Sequence, residues 1–304
     1  MTAWRAYAGP VRAVVFDWAG TTVDFGSLAP VRVVVEVFAA TGVTVTEAEA
    51  RGPMGLPKRD HLRAMLAMPA VAERWRATHG IGPDEAAVEA LYARFEPLQV
   101  AVVAGSAEPI PGTVETVAAL RARGIAIGST TGYSRAVMDA LAPAAARLGY
   151  APDSIVCPDD VPAGRPAPFM AWRSLMDLGA WPAAACIKVD DTAPGIAEGR
   201  NAGMWTVGVR RTGNLFGLDE ASVAALPPDE LAARDAAADR TLLDAGAHFT
   251  VPSIADLMPV LAEIEARLTQ EFRGHEPELT NGRAAARPAG DQPAELQQRS
   301  GMCP

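Results

Sequence analysis

Four short apolar runs, each followed at once by small or polar residues, constrain the fold of this chain more than any other feature of its sequence. The runs are residues 11–16, 125–128, 184–189 and 205–209. Short apolar runs that end at turn residues are typical of strands buried on both faces of a parallel sheet. Helical patterns occur at residues 113–123, 135–141 and 169–178. Because strands alternate with helices, the sequence predicts a doubly wound, mainly parallel α/β sheet with its site at the carboxyl ends of the strands.

Residues 25–104 break this alternation, because only helical patterns follow one another there. The predicted helices span residues 31–40, 57–68, 69–78 and 84–103. A capping box at Thr46 and Glu49 marks a further helix start. Since the segment falls between the first strand and the second α/β unit, the sequence predicts an all-helical cap domain inserted into an α/β core. The core is expected to comprise residues 1–24 and 105–273.

Composition and charge exclude several classes of protein. The net charge of −9 and the lack of a dense Lys/Arg run argue against nucleic acid or a membrane surface as partners. No stretch reaches the length of about 18 apolar residues needed to span a bilayer. Three scattered cysteines favour neither a disulfide framework nor a zinc site, so we expect a reducing compartment. The N-terminus has no apolar signal sequence, and the expected location is therefore the cytoplasm. Residues 274–304, rich in Pro, Gln, Arg and Gly, predict a disordered tail.

Chemically active side chains follow three of the predicted strands. Asp17 ends the first strand, the hydroxyl-bearing residues 129–131 end the second, and the acidic pair 190–191 ends the third. Arg165, in a proline-rich loop, could hold its positive charge against a phosphoryl group. Asp17 alone could be a metal ligand, a nucleophile or the cap of a turn. Carboxylates from Asp17 and Asp191 at neighbouring strand ends would form a hard-oxygen site suited to Mg²⁺.

Five motifs carry these residues in a recognisable order. They are Asp17-Trp-Ala-Gly-Thr-Thr-Val-Asp24, Gly128-Ser-Thr-Thr-Gly-Tyr-Ser134, Gly164-Arg-Pro-Ala-Pro168, Lys188-Val-Asp-Asp-Thr192 and Glu198-Gly-Arg-Asn-Ala-Gly-Met-Trp-Thr-Val-Gly208. Together they resemble the haloacid dehalogenase (HAD) superfamily and, within it, the phosphonoacetaldehyde hydrolase, or phosphonatase, family. The resemblance covers about residues 8–218 and leaves residues 219–304 without an interpretable motif.

The resemblance implies an enzyme that hydrolyses the C–P bond of a small phosphonate, phosphonoacetaldehyde, to acetaldehyde and phosphate. Most phosphatases of the superfamily carry a second Asp two residues after the nucleophile, where it protonates the leaving group. Ala19 stands at that position here. Lys58 lies in the cap motif where phosphonatases carry their imine-forming Lys. The implied pathway therefore uses a Lys58 imine and an aspartyl phosphate on Asp17.

This chemistry places a demand on Lys58, which must be neutral to attack an aldehyde. The ordinary pKa of a lysine is about 10.4, and burial under a closed cap is expected to lower the pKa of Lys58. His61 lies three residues further along the same predicted helix, so both side chains share one helical face. His61 could shuttle protons for Lys58, although a solvent-facing polar role is an open alternative.

The resemblance also implies the ligands of the substrate and of the metal. Mg²⁺ would be held by Asp17, the backbone carbonyl of Ala19, and Asp191. Asp190 replaces a Gly found in some relatives, and Gly195 stands where many superfamily members have another acid. Asp190 is therefore left without an assigned role. The residues implied to bind the substrate and its phosphonate group are Ser27, Met54, Thr130, Thr131, Gly132, Tyr133 and Arg165.

Two other functions compete with this interpretation. One is another HAD-type phosphatase or phosphotransferase, against which Ala19 and Lys58 argue. The other is a non-catalytic phosphate-binding protein, which would be expected to have lost Asp17, Asp191 or Lys58. The family further implies a homodimer formed through the cap, and the apolar helix at residues 31–38 is a candidate for the contact.

Overall fold

Six strands form one parallel sheet in the computed structural model, which describes residues 7–274. In chain order they are β1 (Ala13–Phe16), β2 (Ala126–Thr130), β3 (Ser154–Val156), β4 (Cys186–Asp190), β5 (Trp205–Val209) and β6 (Phe249–Val251). Their order across the sheet is β3-β2-β1-β4-β5-β6, and every neighbouring pair is parallel. The predicted doubly wound α/β fold is therefore confirmed.

Twelve helices are found among the described residues, and five of them lie between β1 and β2. These five, called the cap below, are α1 (Leu28–Ala39), α2 (Glu47–Arg51), α3 (Lys58–Ala67), α4 (Pro69–His79) and α5 (Glu85–Val103). The others are α6 (Thr113–Ala122), α7 (Arg135–Arg147), α8 (Phe169–Asp177), α9 (Ala193–Asn201), α10 (Glu220–Ala224), α11 (Pro228–Asp244) and α12 (Leu257–Gly274). The insertion of an all-helical segment after the first strand is as predicted.

The sheet and the cap bury separate sets of apolar side chains. Val14 and Ile127 from adjacent strands belong to a cluster that also includes Leu261 of α12. Phe38 of α1 and Leu91 of α5 belong to a second cluster formed within the cap. Separate clusters are what two domains would produce, but the domain boundaries at residues 24/25 and 104/105 stay predictions.

The candidate dimer helix at residues 31–38 has most of its apolar side chains inside the chain. Val31, Val34, Val37 and Phe38 are all buried in the cap cluster. They are therefore not available as an exposed apolar face, and the homodimer stays a prediction. Of the predicted disordered tail, residues 275–304 lie outside the described residues. No helix within residues 7–274 is long and apolar enough to cross a membrane.

Two strands that the sequence missed are very short, and one predicted helix continues beyond its expected end through a proline. The three-residue strands β3 and β6 carry too few residues to show a periodic pattern. The helix predicted to end at residue 141 continues to Arg147 through Pro143. A proline disfavours helical backbone before it, but burial of Ala144 and Ala145 against the core stabilises the additional turn.

The segment after residue 218, for which the sequence provided no motif, completes the core. β6 pairs with β5 at the edge of the sheet. α12 places Leu261, Ile264 and Leu268 in the main apolar cluster. The α/β core therefore depends on residues well beyond the recognisable motifs.

Candidate active site

The order of the strands brings the predicted site residues to one edge of the sheet. β1 lies between β2 and β4, so residues that follow these three strands are neighbours. Asp17 directly follows β1, and its backbone N–H donates to the carbonyl of Val189 at 2.9 Å. The carboxyl end of a central strand in a parallel sheet is where α/β proteins bind ligands.

Arg165 reaches this edge from the loop between β3 and α8. Its side chain is only 1% exposed. One terminal nitrogen donates to Oδ1 of Asp17 at 2.7 Å and to the backbone carbonyl of Thr130 at 2.8 Å. Its Nε donates to Oε2 of Glu198 at 3.0 Å. Burial opposes the charge of the guanidinium, but Asp190 and Asp17 hold the pKa of Arg165 above its usual value.

A second buried cation, Lys188, lies behind Arg165. It is fully buried in β4, and its Nζ donates to the hydroxyl of Thr130 at 2.9 Å. The same Nζ lies 3.0 Å from Oδ2 of Asp190 and 3.7 Å from Oε2 of Glu198. The Thr130 hydroxyl in turn donates to Glu198. Arg165, Lys188, Asp190 and Glu198 thus form a buried network that holds the guanidinium against Asp17.

Three carboxylates gather at this edge of the sheet. Asp17, Asp190 and Asp191 are buried, and one oxygen from each lies within 4.8 Å of the others. Burial and the charge of Asp190 raise the pKa of Asp17 to about 6. Burial and the charges of Asp17 and Asp190 raise the pKa of Asp191 well above its usual value. Although burial also disfavours the charged form of Asp190, Arg165 and Lys188 hold its pKa below the usual value.

The three carboxylates differ in how their negative charges are compensated, and this difference indicates where a metal ion would fit. Asp190 is compensated by two cations, and its Oδ1 accepts from the backbone N–H and the hydroxyl of Thr192. Asp191 instead accepts hydrogen bonds from the hydroxyl of Thr21 at 2.9 Å and the backbone N–H of Asn214 at 2.7 Å. Asp17 and Asp191 would therefore be stabilised by a divalent cation between them, and two carboxylates suit a hard cation.

Lys58 enters the site from the cap as the first residue of α3. It is 7% exposed. Its Nζ lies 3.6 Å from Sδ of Met54 and 5.4 Å from the centre of the Tyr133 ring. Burial lowers the pKa of Lys58 to about 8; the charge of Asp17 opposes this shift and that of Arg165 adds to it. The expectation that burial lowers this pKa agrees with its surroundings.

Two glycines allow the Lys58 loop to approach the core closely. Gly55 has a φ of +93°, and a Cβ at this position would lie 2.3 Å from Oγ1 of Thr192. A Cβ on Gly132 would lie 2.8 Å from the carbonyl oxygen of Leu56. Because neither position has room for a side chain, the loop before Lys58 can pack directly on the loops that follow β2 and β4.

Lys58 and Asp17 line the same cavity, which has a volume of about 30 Å³. Space of this size holds one or two water molecules, and the cavity is partly open to its surroundings. The other predicted residues that line it are Ala19, Ser27, Met54, Thr131, Gly132, Tyr133 and Arg165. Pro30, Gly55 and Thr192 complete the lining.

Three predicted site residues do not line this cavity. The hydroxyl of Thr130 belongs to the Arg165–Lys188 network behind it. Asp191 lies with the carboxylates at the strand ends. His61 is fully buried, and neither of its ring nitrogens has a hydrogen-bond partner among the described residues. Burial and nearby Lys58 lower the pKa of His61 well below its usual value, so the ring is neutral.

Besides Asp190, the buried network contains Lys188 and Glu198, to which the sequence assigned no role. For each of them a feature of the sequence or of its helix indicated a buried charge. Lys188 interrupts an otherwise apolar predicted strand at 184–189, and a charged residue there must find a partner inside the protein. Glu198 lies on the buried face of α9. Which partners these charges find depends on the packing of α9 and the Arg165 loop against the sheet, which the sequence does not specify.

Comparisons with known proteins agree with this architecture. A family model for haloacid dehalogenase-like hydrolases matches residues 11–203. The phosphonoacetaldehyde hydrolase of Nitratidesulfovibrio vulgaris is 53% identical over 266 residues, which cover 88% of this chain and 95% of that protein. That of Paraburkholderia xenovorans is 52% identical over 263 residues, covering 86% of this chain and 98% of that protein.

A solved structure shows the same fold. The crystal structure of a phosphonoacetaldehyde hydrolase-like protein from Oleispira antarctica superposes with a TM-score of 0.87 at 44% identity, covering 91% of this chain and 99% of that one. The aligned stretch of 266 residues in the first relative is longer than residues 8–218. The expected limit of the resemblance at residue 218 is therefore wrong, because the similarity continues into the C-terminal part of the core.

The buried network predicts a large effect for the substitution Glu198→Gln. It would leave Arg165 and Lys188 with one carboxylate fewer in a buried environment, which should lower the free energy of unfolding by about 3–5 kcal/mol. The matched control is Glu230→Gln, which removes an exposed carboxylate paired with Arg234 and should cost about 0–1 kcal/mol. Urea denaturation measures both values. Equal losses would contradict the importance assigned to Glu198.

Proposed function

Because this chain belongs to the phosphonoacetaldehyde hydrolase family of the haloacid dehalogenase-like hydrolases, we propose that it converts phosphonoacetaldehyde and water to acetaldehyde and phosphate. One observation carries the proposal more than any other. A buried lysine from the cap, Lys58, lines the same small cavity as the core carboxylate Asp17. An aldehyde and a phosphonate group on neighbouring carbons would be bound at the same time by these two residues.

The phosphonate end of the substrate is assigned to the core. Arg165 lines the cavity beside Asp17 and is oriented by Glu198, so its charge faces the phosphonate oxygens. Thr131 and Gly132 line the same wall at the end of β2. With the phosphonate held here, its phosphorus atom lies next to the Asp17 carboxylate.

The aldehyde end is assigned to Lys58. Neutral Nζ adds to the carbonyl carbon, and loss of water with uptake of one proton from solvent leaves a protonated imine. A pKa of about 8 leaves roughly a tenth of the Lys58 side chains neutral at pH 7, far more than for an ordinary lysine. Met54 and Tyr133 pack beside Nζ and limit the access of water. We also propose that His61 exchanges a proton with Lys58 when the cap opens.

The imine is what allows the C–P bond to break. A carboxylate oxygen of Asp17 attacks phosphorus, and the electron pair of the C–P bond moves to carbon and on to the protonated imine nitrogen. The carbon fragment therefore leaves as a neutral enamine and needs no acid at Ala19. Protonation of the enamine carbon and hydrolysis of the imine release acetaldehyde. Water then hydrolyses the aspartyl phosphate on Asp17 and releases phosphate.

A divalent metal ion completes the proposed site. Asp17, the backbone carbonyl of Ala19, and Asp191 would hold Mg²⁺, which would offset the negative charges of the phosphonate and of the attacking carboxylate. Thr21 and Asn214 orient the Asp191 carboxylate through the two hydrogen bonds described above. In this orientation an Asp191 carboxylate oxygen lies within 4.8 Å of an Asp17 carboxylate oxygen.

The proposal includes a movement of the cap. Because Lys58 comes from the cap and Asp17 from the core, we propose that the two parts move relative to each other as substrate enters and product leaves. A larger cavity of about 400 Å³, with Lys58 and Gly132 in common, opens on one side of the site. We propose that substrate enters from this side. A homodimer is likewise proposed, by family analogy.

The decisive test of the proposed reaction is trapping of the imine. Borohydride added with phosphonoacetaldehyde should inactivate the enzyme and leave a two-carbon adduct on Lys58. The chain contains only one other lysine, Lys188, so peptide mapping distinguishes the two directly. Lys58→Arg keeps the charge but has no nucleophilic amine, so it should fold yet release no phosphate. An adduct on Lys188, or C–P cleavage by Lys58→Arg, would refute the mechanism. A preference for phosphate monoesters would favour the alternative of a phosphatase.

The pKa of Lys58 predicts how trapping depends on pH. Because the neutral amine is the nucleophile and the folded pKa is about 8, the initial trapping rate should rise as pH increases through 8 and level off above it. Borohydride trapping that is quenched at successive times, with the Lys58 adduct quantified by mass spectrometry, measures this rate. A rate that keeps rising to pH 10 would show that Lys58 has the pKa of an exposed lysine.

The carboxylate cluster predicts a metal requirement. Removal of divalent ions with EDTA should abolish phosphate release, and added Mg²⁺ should restore it. Asp191→Asn should weaken Mg²⁺ binding measured by calorimetry, because one of two ligating charges is lost. Glu263→Gln, which removes an exposed carboxylate on α12, is the matched control and should bind Mg²⁺ like the unchanged protein. Full activity in EDTA would refute the site.

A further inference from the structure

Arg51, the last residue of α2, joins the cap to the core by an unusual set of contacts. Its Nη1 donates to the backbone carbonyl of Gly26 at 3.0 Å and to Oδ1 of Asn214 at 3.2 Å. Its Nη2 donates to the backbone carbonyl of Gly217 at 3.2 Å. These are amide and carbonyl oxygens rather than carboxylates, so the guanidinium acts as a directional connector more than as half of an ion pair.

Asn214 both accepts a hydrogen bond from Arg51 and donates one to it. Its side chain is nearly fully buried, and its Nδ2 donates to the backbone carbonyl of Arg51 at 3.1 Å. Its backbone N–H donates to Oδ2 of Asp191 at 2.7 Å. A single residue therefore contacts both the end of α2 in the cap and a carboxylate of the proposed metal site.

The Arg51 guanidinium has room beside residue 217 only because that residue is a glycine. A Cβ on Gly217 would lie 2.6 Å from Cζ of Arg51, so the planar group packs directly on the glycine backbone. The third partner, Gly26, belongs to the short connection between the core and α1. Gly26 has a φ of +84°, and its backbone N–H donates to the carbonyl of Thr212 at 2.7 Å. Arg51 thus contacts the connection about which the cap would have to move.

We propose that Arg51 and Asn214 form a closure latch, a pair of positioning residues that couples the closed position of the cap to the orientation of Asp191. α2 leads directly into the loop that carries Met54 and Gly55 and ends at Lys58. When the latch forms, this loop is placed on the core, and the segment 212–217 is held so that Asn214 orients Asp191. Closure of the cap then favours metal binding at Asp191, and metal binding in turn favours closure of the cap. The part of the latch that concerns Lys58 rests on the proposed function.

The experiment compares four full-length proteins: the unchanged chain, Arg51→Met, Asn214→Ala and the double variant. Asn214→Ala keeps the backbone N–H that reaches Asp191 and removes only the side chain that contacts Arg51. The matched control is Arg74→Met. Arg74 is also a cap arginine, and within the described part of the chain its hydrogen bonds go only to cap residues, namely Thr44, Glu49 and Ala70.

Three measurements are made on each protein. Amide hydrogen exchange followed by mass spectrometry should show faster exchange at residues 24–28 and 212–217 in Arg51→Met, with the strands unchanged. Calorimetry should show weaker Mg²⁺ binding. The kcat/KM for phosphonoacetaldehyde should fall by roughly 10- to 100-fold, the size expected when a reacting group is displaced by about 1 Å. Arg74→Met should resemble the unchanged chain in all three.

The double variant separates coupling from independent effects. If the two residues act as one latch, its losses should be smaller than the sum of the two single losses, because both substitutions remove the contact between Nη1 of Arg51 and Oδ1 of Asn214. Additive losses, or unchanged exchange and Mg²⁺ binding despite lower activity, would overturn the proposal. The exchange and Mg²⁺ measurements do not depend on C–P cleavage. If the unchanged protein fails to cleave phosphonoacetaldehyde, the proposed function fails while these two measurements still decide whether the latch exists.

Discussion

The compensation of buried charge at the carboxyl edge of the sheet is the constraint on which the rest of the site depends. A guanidinium and an ammonium removed from water are tolerated only with carboxylate partners nearby. Arg165 and Lys188 share Asp190 and Glu198, and Arg165 has Asp17 as a further partner. Arg165 is therefore held in one position against Asp17. Among the described residues Asp191 forms no such ion pair, which is why Asp17 and Asp191 are the carboxylates proposed to hold the metal ion.

The positions of Asp190 and Gly195, two departures from the family pattern, have one physical explanation. A Cβ on residue 195 would lie 1.9 Å from Oδ2 of Asp190, so the Asp190 carboxylate fills the space that a side chain at 195 would need. An acid cannot stand at both positions with this packing. Asp190 also reaches Lys188 and Arg165 from where it lies. The role that the sequence left unassigned is therefore to compensate these cations, and the small residue at 195 makes room for it.

The sequence predicted most of the fold and the members of the cavity, but not the direction of every side chain. Asp17 and Asp191 could be placed near each other because the strand that a residue follows determines its edge of the sheet. Thr130 was assigned to the phosphonate group, yet its hydroxyl faces Lys188 and Glu198, because a strand end does not reveal which face a side chain uses. His61 shares the face of α3 with Lys58, but helical spacing does not determine how deeply the next turn is buried. The C-terminal part of the core went unrecognised since its elements carry no chemical motif.

The lysine content of the chain bears on how the site works. The sequence has 27 basic residues counted as Lys and Arg, and only Lys58 and Lys188 among them are lysines. Arginine supplies positive charge elsewhere, so charge alone does not explain a lysine at position 58. Burial lowers the pKa of Lys58 to about 8, whereas an arginine would keep its charge in the same place. A buried cation that is close to losing its proton stabilises the closed site poorly, which would be a disadvantage for a structural residue. It is an advantage for a nucleophile, and the unfavourable burial of Lys58 is therefore the feature that best fits imine chemistry.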